Sequence, residues 1–282
     1  MLENQVAIAE ETVQILPSEN ERDSFKYQSF PEKEEHLPTI YPVPKILLAK
    51  KVLKDLYKRY TSFFMSQEYG YGAAFPEKRR FINSNIIYFI AVTDGNEDTL
   101  FHSQLVAGYT LLLSKSLGIK DKEFLTSIER GAMLHDIGKI GIPETVLRKE
   151  GPLTLEEKEI VKDHPILGYE MIKEFDFLEK EARVVLYHHE KYDGSGYPFG
   201  LAEEEIPIEA RIFTLADTLD ALTSDRPYRK RMSFEEAFWE IEKNDGSQFD
   251  PLILDVFLSL PFEQLQQIKE ETYEYVSPCL IH

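Results

Sequence analysis

Residues 122–139 read Lys-Glu-Phe-Leu-Thr-Ser-Ile-Glu-Arg-Gly-Ala-Met-Leu-His-Asp-Ile-Gly-Lys, a helical pattern over 122–136 that ends on the pair His135-Asp136. Similar patterns recur outward from it. Helices are expected over 98–117, 122–136, 155–163, 166–174, 179–190, 208–222, 233–244, 250–259 and 261–275, with short loops between them. Two of these starts carry capping boxes, Thr154 with Glu157 and Ser233 with Glu236. No alternation of β-branched residues is sustained over several segments, so the fold class is all-α.

The chain before this region is different. Residues 1–44 hold nine acids and three bases, and Pro17, Pro31, Pro38, Pro42 and Pro44 interrupt any periodicity. An amphipathic helix is expected over 45–66, where Ile46, Ala49, Leu53, Leu56, Tyr60 and Phe63 fall at three- and four-residue steps. A second helical pattern runs over 77–93. The division is therefore an N-terminal region, 1–93, with helices of unassigned role that could form a homodimer surface, and a second domain, 94–282.

With 282 residues, 43% of them hydrophobic and 29% charged, the chain can bury a full core. No apolar run approaches the roughly 20 residues of a membrane-spanning helix. No basic cluster precedes an apolar core at the N-terminus, and the single Cys279 suits a reducing compartment, so a cytoplasmic location is expected. A net charge of −18 argues against DNA, RNA or an anionic membrane as a partner. Against that field, Arg226-Pro-Tyr-Arg229-Lys230-Arg231 places four cations in six residues. It reads either as a solvated helix start or as a contact for a phosphodiester anion, for which arginine is well shaped.

Five of the seven histidines, His102, His135, His164, His188 and His189, lie within 88 residues, each on or beside an expected helix. One histidine in a helix is usually a packing or surface residue. Five beside the carboxylates Asp136 and Asp217 are hard to explain by packing. Neutral imidazoles with carboxylates suit iron, manganese or zinc, and a bridging carboxylate is the usual device of a binuclear site. Such a site serves phosphodiester hydrolysis. Because adjacent helical residues point about 100° apart, His135 and Asp136, or His188 and His189, would meet a metal pair only at a shared helix edge.

Extended strings sharpen this reading. His135-Asp-Ile-Gly-Lys139 and His188-His-Glu-Lys-Tyr-Asp-Gly-Ser-Gly-Tyr-Pro198 strongly resemble the HD-GYP family, a branch of the HD phosphohydrolases. The resemblance continues through Ile206-Pro, Ala210-Arg-Ile, Ala216-Asp-Thr-Leu-Asp-Ala-Leu-Thr-Ser-Asp-Arg-Pro-Tyr-Arg229 and Phe249-Asp-Pro251, covering roughly 98–260. It implies an HD-type helical bundle with a metal centre in its core. It also implies a phosphodiesterase that opens cyclic di-GMP to linear pGpG, with GMP as a further product. Hydrolysis of cyclic GMP-AMP, or a non-catalytic sensor or cyclase-docking module, are the alternative readings.

Carried over by position, the resemblance implies one metal held by His102, His135, Asp136 and Asp217. Asp136 would bridge to a second metal held by His164, His188 and His189. Two or three divalent ions are implied, iron or manganese first, with zinc or nickel as alternatives. Asp98 stands where some family members place a third-metal carboxylate, typically glutamate; it is one methylene shorter, and it equally suits a helix N-terminus. Lys139 would face the scissile phosphate beside Asp136 as the catalytic pair. Asp193, Gly194 and Tyr197 would contact substrate from the GYP loop, which in the family also recognises diguanylate cyclases. Arg226, Arg229 and Lys230 would contact the dinucleotide phosphates.

Overall fold

The computed structural model describes residues 97–175, 178–225 and 230–276, together with Lys51. Ten α-helices occur among them: α1 (Glu97–Ser116), α2 (Lys122–Leu134), α3 (Glu144–Leu147), α4 (Leu155–Lys162), α5 (His164–Ile172), α6 (Glu181–Tyr187), α7 (Ile208–Thr223), α8 (Phe234–Glu242), α9 (Pro251–Leu258) and α10 (Phe262–Val276). Two 3-10 helices intervene, Ile137–Gly141 and Glu203–Glu205. There is no strand among the described residues, only isolated bridges such as Asp193 with Ala202, and the all-α expectation holds. The expected helices 45–66 and 77–93 lie outside the described residues, apart from Lys51, as do Arg226, Arg229 and Cys279.

Local chemistry explains the helix starts. Thr154 and Ser233 close the expected capping boxes, each accepting the N–H of the glutamate three residues on. Two further caps come from aspartates: Asp121 accepts from the N–H of Phe124, and Asp250 from that of Leu252. Helix α7 runs through the core, packing against α1, α6, α8 and α9. Its Ile212, Phe213, Leu215 and Leu219 are fully buried. Helix α1 meets it with Leu105, Val106 and Leu113, and also packs against α2 and α10.

Several helices end earlier than the pattern suggested, and two of these differences matter. The expected 122–136 stops at Leu134, with His135 as the capping residue and Asp136 at φ −94°, ψ 7°, opening the 3-10 turn. The expected 179–190 runs only from Glu181 to Tyr187, with His188 as the capping residue. Neither ligand pair therefore shares a helix edge. Each sits where a helix terminates, and the change of backbone direction aims neighbouring side chains at one point.

One buried acid carries a testable cost. Glu181, the first residue of α6, is buried, with Arg130 of α2 at 3.4 Å. Burial pushes its pKa from the ordinary 4.5 up to about 7, although Arg130 and backbone contacts oppose the shift. The folded chain thus holds this proton more tightly than the unfolded chain. Its contribution to stability is complete below pH 4.5 and is lost as the pH rises through 7. Urea unfolding at pH 5 and pH 8 should show wild type losing roughly 2.5 kcal/mol more across that interval than Glu181→Gln.

Candidate metal centre

Three imidazoles turn their Nε2 atoms toward one carboxylate, that of Asp136. His135 Nε2 is 3.2 Å from Asp136 Oδ2, while His164 Nε2 is 3.2 Å and His188 Nε2 3.9 Å from Asp136 Oδ1. His102 Nε2 lies 3.4 Å from His135 Nε2 and 3.4 Å from Asp217 Oδ1. Two compact donor groups result: His102, His135 and Asp136 form one, and Asp136, His164, His188 and His189 form the other. Asp136 belongs to both, and Asp217 joins the first through His102. The backbone of Asp98 lies in the first turn of α1, one turn before His102.

The opposite ring nitrogens show how each imidazole is held. Nδ1–H of His135 donates to Ala132 O at 2.8 Å, that of His164 to Val161 O at 2.7 Å, and that of His188 to Val185 O at 2.9 Å. A carbonyl can only accept, so Nδ1 carries the proton in all three and Nε2 presents a lone pair. Yet His164 Nε2 and His188 Nε2 are 3.0 Å apart. With no hydrogen between them, two facing lone pairs repel, and a shared cation relieves the repulsion. The donor set therefore fits divalent metal binding.

The protonation states agree with that fit. Burial, helped by His189, His164 and His135, holds His188 well below the ordinary imidazole range. Burial and His164 push His189 down to about 3. Both rings are neutral at pH 7, the form that binds metal. Burial alone would raise the Asp136 carboxyl, but positive charge beside it, including the Lys139 ammonium, holds it well below the carboxylate range. Phe213, fully buried on α7, forms the apolar wall, with its ring 4.9 Å from that of His135 and 5.9 Å from that of His188.

Asp220 was not singled out from sequence. It is buried on α7, and its Oδ2 accepts His102 Nδ1–H at 2.6 Å while its Oδ1 accepts the hydroxyl of Ser224 at 2.7 Å. Burial works against the basicity of His102, but the Asp220 hydrogen bond and the charges of Asp217, Asp220 and Asp136 raise it overall. A carboxylate behind a ligating imidazole fixes its orientation and strengthens it as a donor. Asp220→Asn should weaken metal binding at the His102 group by about 10- to 100-fold, read by chelator competition, and leave the His164 group near wild type. The signal was available: Asp220 lies three residues after Asp217 on one helix face.

The remaining expected residues fall on the rim or outside the described chain. Lys139 Nζ bonds Asp136 Oδ2 from the 3-10 turn, and its side chain is 40% exposed, so it reaches both the ligand set and solvent. The Tyr197 ring stacks on His189 with centroids 4.7 Å apart. The side chain of Asp193 is exposed and accepts the Ser195 N–H at 2.9 Å, which closes the turn at Gly194, where φ is +78°. Lys230 is exposed.

A family model described as HD domain matches residues 76–253, more than half of the chain. The chain belongs to the HD domain family. Among the relatives of this HD domain protein, a cyclic di-GMP phosphodiesterase of Thermotoga maritima is 41% identical over 64% of this chain and 49% of its own. A cyclic di-GMP phosphodiesterase response regulator of Xanthomonas campestris is 40% identical over 68% of this chain and 50% of its own. A 3'3'-cGAMP-specific phosphodiesterase of Vibrio cholerae is 39% identical over 54% of this chain and 33% of its own. The HD domain chain thus spans about half the length of the first two relatives. None of its described helices is long and apolar enough to cross a membrane.

Proposed function

We propose that this HD domain protein is a metal-dependent phosphodiesterase that opens cyclic di-GMP to the linear dinucleotide, with GMP as a further product. The observation that carries the reading is Asp136, one carboxylate shared by two imidazole groups with their lone pairs turned inward. The names of the Thermotoga maritima and Xanthomonas campestris relatives support the substrate. Divalent ions held by these residues, iron or manganese first, would supply a water of lowered pKa and positive charge to offset that of the phosphoryl oxygens.

The chain's own residues supply the rest. His102, His135, Asp136 and Asp217 would orient one ion, and Asp136, His164, His188 and His189 the other. Phe213 and the surrounding core keep that floor dry, which strengthens every charge interaction above it. Lys139, tethered to Asp136 and reaching solvent, is placed to neutralise charge that develops on the scissile phosphate. Arg226, Arg229 and Lys230 would contact the dinucleotide phosphates, and Tyr197 would offer an aromatic face beside His189. Asp98 remains the candidate for a third ion. Lys139→Met should lower kcat by about 10²- to 10³-fold with metal content unchanged.

The cyclic GMP-AMP reading is the second hypothesis, favoured by the Vibrio cholerae relative. The deciding experiment purifies the protein without oxygen, loads iron(II) or manganese(II), and supplies each dinucleotide, with products resolved by chromatography. Linear pGpG or GMP from cyclic di-GMP supports the proposal. Turnover of only the mixed dinucleotide supports the second reading. Binding without turnover of either sinks both and points to a sensor.

A further inference from the structure

The loop that carries Tyr197 is held in place by a residue outside the ligand set. Glu190 follows His189 directly and is only 2% exposed, an uncommon position for a carboxylate. Its Oε1 accepts the N–H of Phe199 at 2.8 Å, and its Oε2 accepts those of Gly200 and Leu201, both at 3.1 Å. Three consecutive backbone donors thus wrap one side chain, as a backbone nest wraps an anion. No ion pair reaches Glu190 among the described residues, so these amides offset its buried charge.

The near half of the loop is pinned separately. Gly196 lies against the backbone of 189–191, where a Cβ would come within 2.4 Å of Lys191 N and 2.6 Å of His189 O. The N–H of Tyr197 donates to His189 O at 3.1 Å, below the stacked rings of the same two residues. Residues 189–201 therefore form a clasp, with one side fastened to His189 and the other to Glu190.

We propose that Glu190 is a positioning residue: it locks 199–201 so that Tyr197 stays seated on the His189 edge of the metal centre as a fixed wall for the bound dinucleotide. The substrate half of this proposal rests on the phosphodiesterase reading above; the loop half does not. Glu190→Gln keeps the length and volume of the side chain. Its one oxygen can still accept from two donors, but its NH2 group faces a third N–H with another donor.

In Glu190→Gln, hydrogen exchange at Phe199, Gly200 and Leu201 should quicken about tenfold, equivalent to ~1.4 kcal/mol. KM for cyclic di-GMP should rise about tenfold, with kcat nearly unchanged and metal content equal to wild type. Tyr197→Ala should raise KM similarly, and the double variant should add little, because both changes remove one wall. Unchanged exchange at 199–201, a loss of metal, or additive KM effects would overturn the proposal. Should Glu190→Gln not fold, the wild-type chain decides: exchange at these amides as fast as at an exposed loop position also overturns it. If wild type turns over no dinucleotide, the phosphodiesterase reading fails, while the exchange measurement still decides what Glu190 does.

Discussion

Asp136→Ala should strip metal from both donor groups and lower turnover by about 10³-fold or more, beyond the usual loss of a single electrostatic contact. The reason is its division of labour. Oδ2 faces His135 at 3.2 Å, while Oδ1 faces His164 at 3.2 Å and His188 at 3.9 Å. Among the described residues, no other belongs to both groups. Removing the carboxylate takes away a ligand, a negative charge and the partner of Lys139 in one step. Asp136→Asn separates these losses, since it keeps shape and one oxygen but not the negative charge that a bound cation would need. Elemental analysis after dialysis, run beside turnover, measures both effects. Retention of a full metal complement by Asp136→Ala would show that the imidazoles suffice and that Asp136 does not bridge.

Gly138→Ala should do comparable damage from outside the ligand set. A Cβ at residue 138 would lie 1.9 Å from His164 O and 2.5 Å from Gly168 N. Both are backbone atoms, so no side-chain rotation can relieve the clash, and the 3-10 turn must move away from α5. That motion separates Asp136 from His164, because each stands two residues or fewer from the point of contact. Overpacking of this kind costs about 3 kcal/mol or more, which for a domain of this size lowers Tm by roughly 6–12 °C. Metal binding at the His164 group should fall along with stability. Gly168→Ala is the informative comparison. Its nearest clash is Val185 Cγ1 at 2.7 Å, and the nearest backbone atom, Gly138 N, is farther off at 3.2 Å, so its effect should be smaller. Equal effects, or a Gly138→Ala chain with wild-type Tm, would refute the close-packing account.

These two residues also show where sequence reading succeeds and where it stops. The five clustered histidines, Asp136 and Asp217 sit in strings whose local pattern announces them, and the structure brings them together. The Gly138 and Gly168 positions were visible in the same strings, but the reason for glycine there is a contact between two segments 30 residues apart in sequence. Helix ends were misplaced where they mattered most. The hydrophobic period continues past Leu134 and Tyr187, yet the backbone tightens or stops there because the ligands must converge. Short α3 escaped notice because four residues hold too little periodicity to register.

What the sequence by itself determined is the set of chemical types: an all-α chain, a cluster of imidazoles and carboxylates, a constrained glycine-rich loop and a basic segment in an acidic protein. Those follow from periodicity and composition, which are local properties. Tertiary structure alone decided that Asp136 divides its oxygens between two groups, that Asp220 backs His102, and that Glu190 fastens the loop at 199–201. Each is a hydrogen bond or approach whose partner lies elsewhere in the chain or is a backbone N–H. A backbone donor is common to nearly every residue, so no side-chain pattern can announce which one a buried carboxylate will meet.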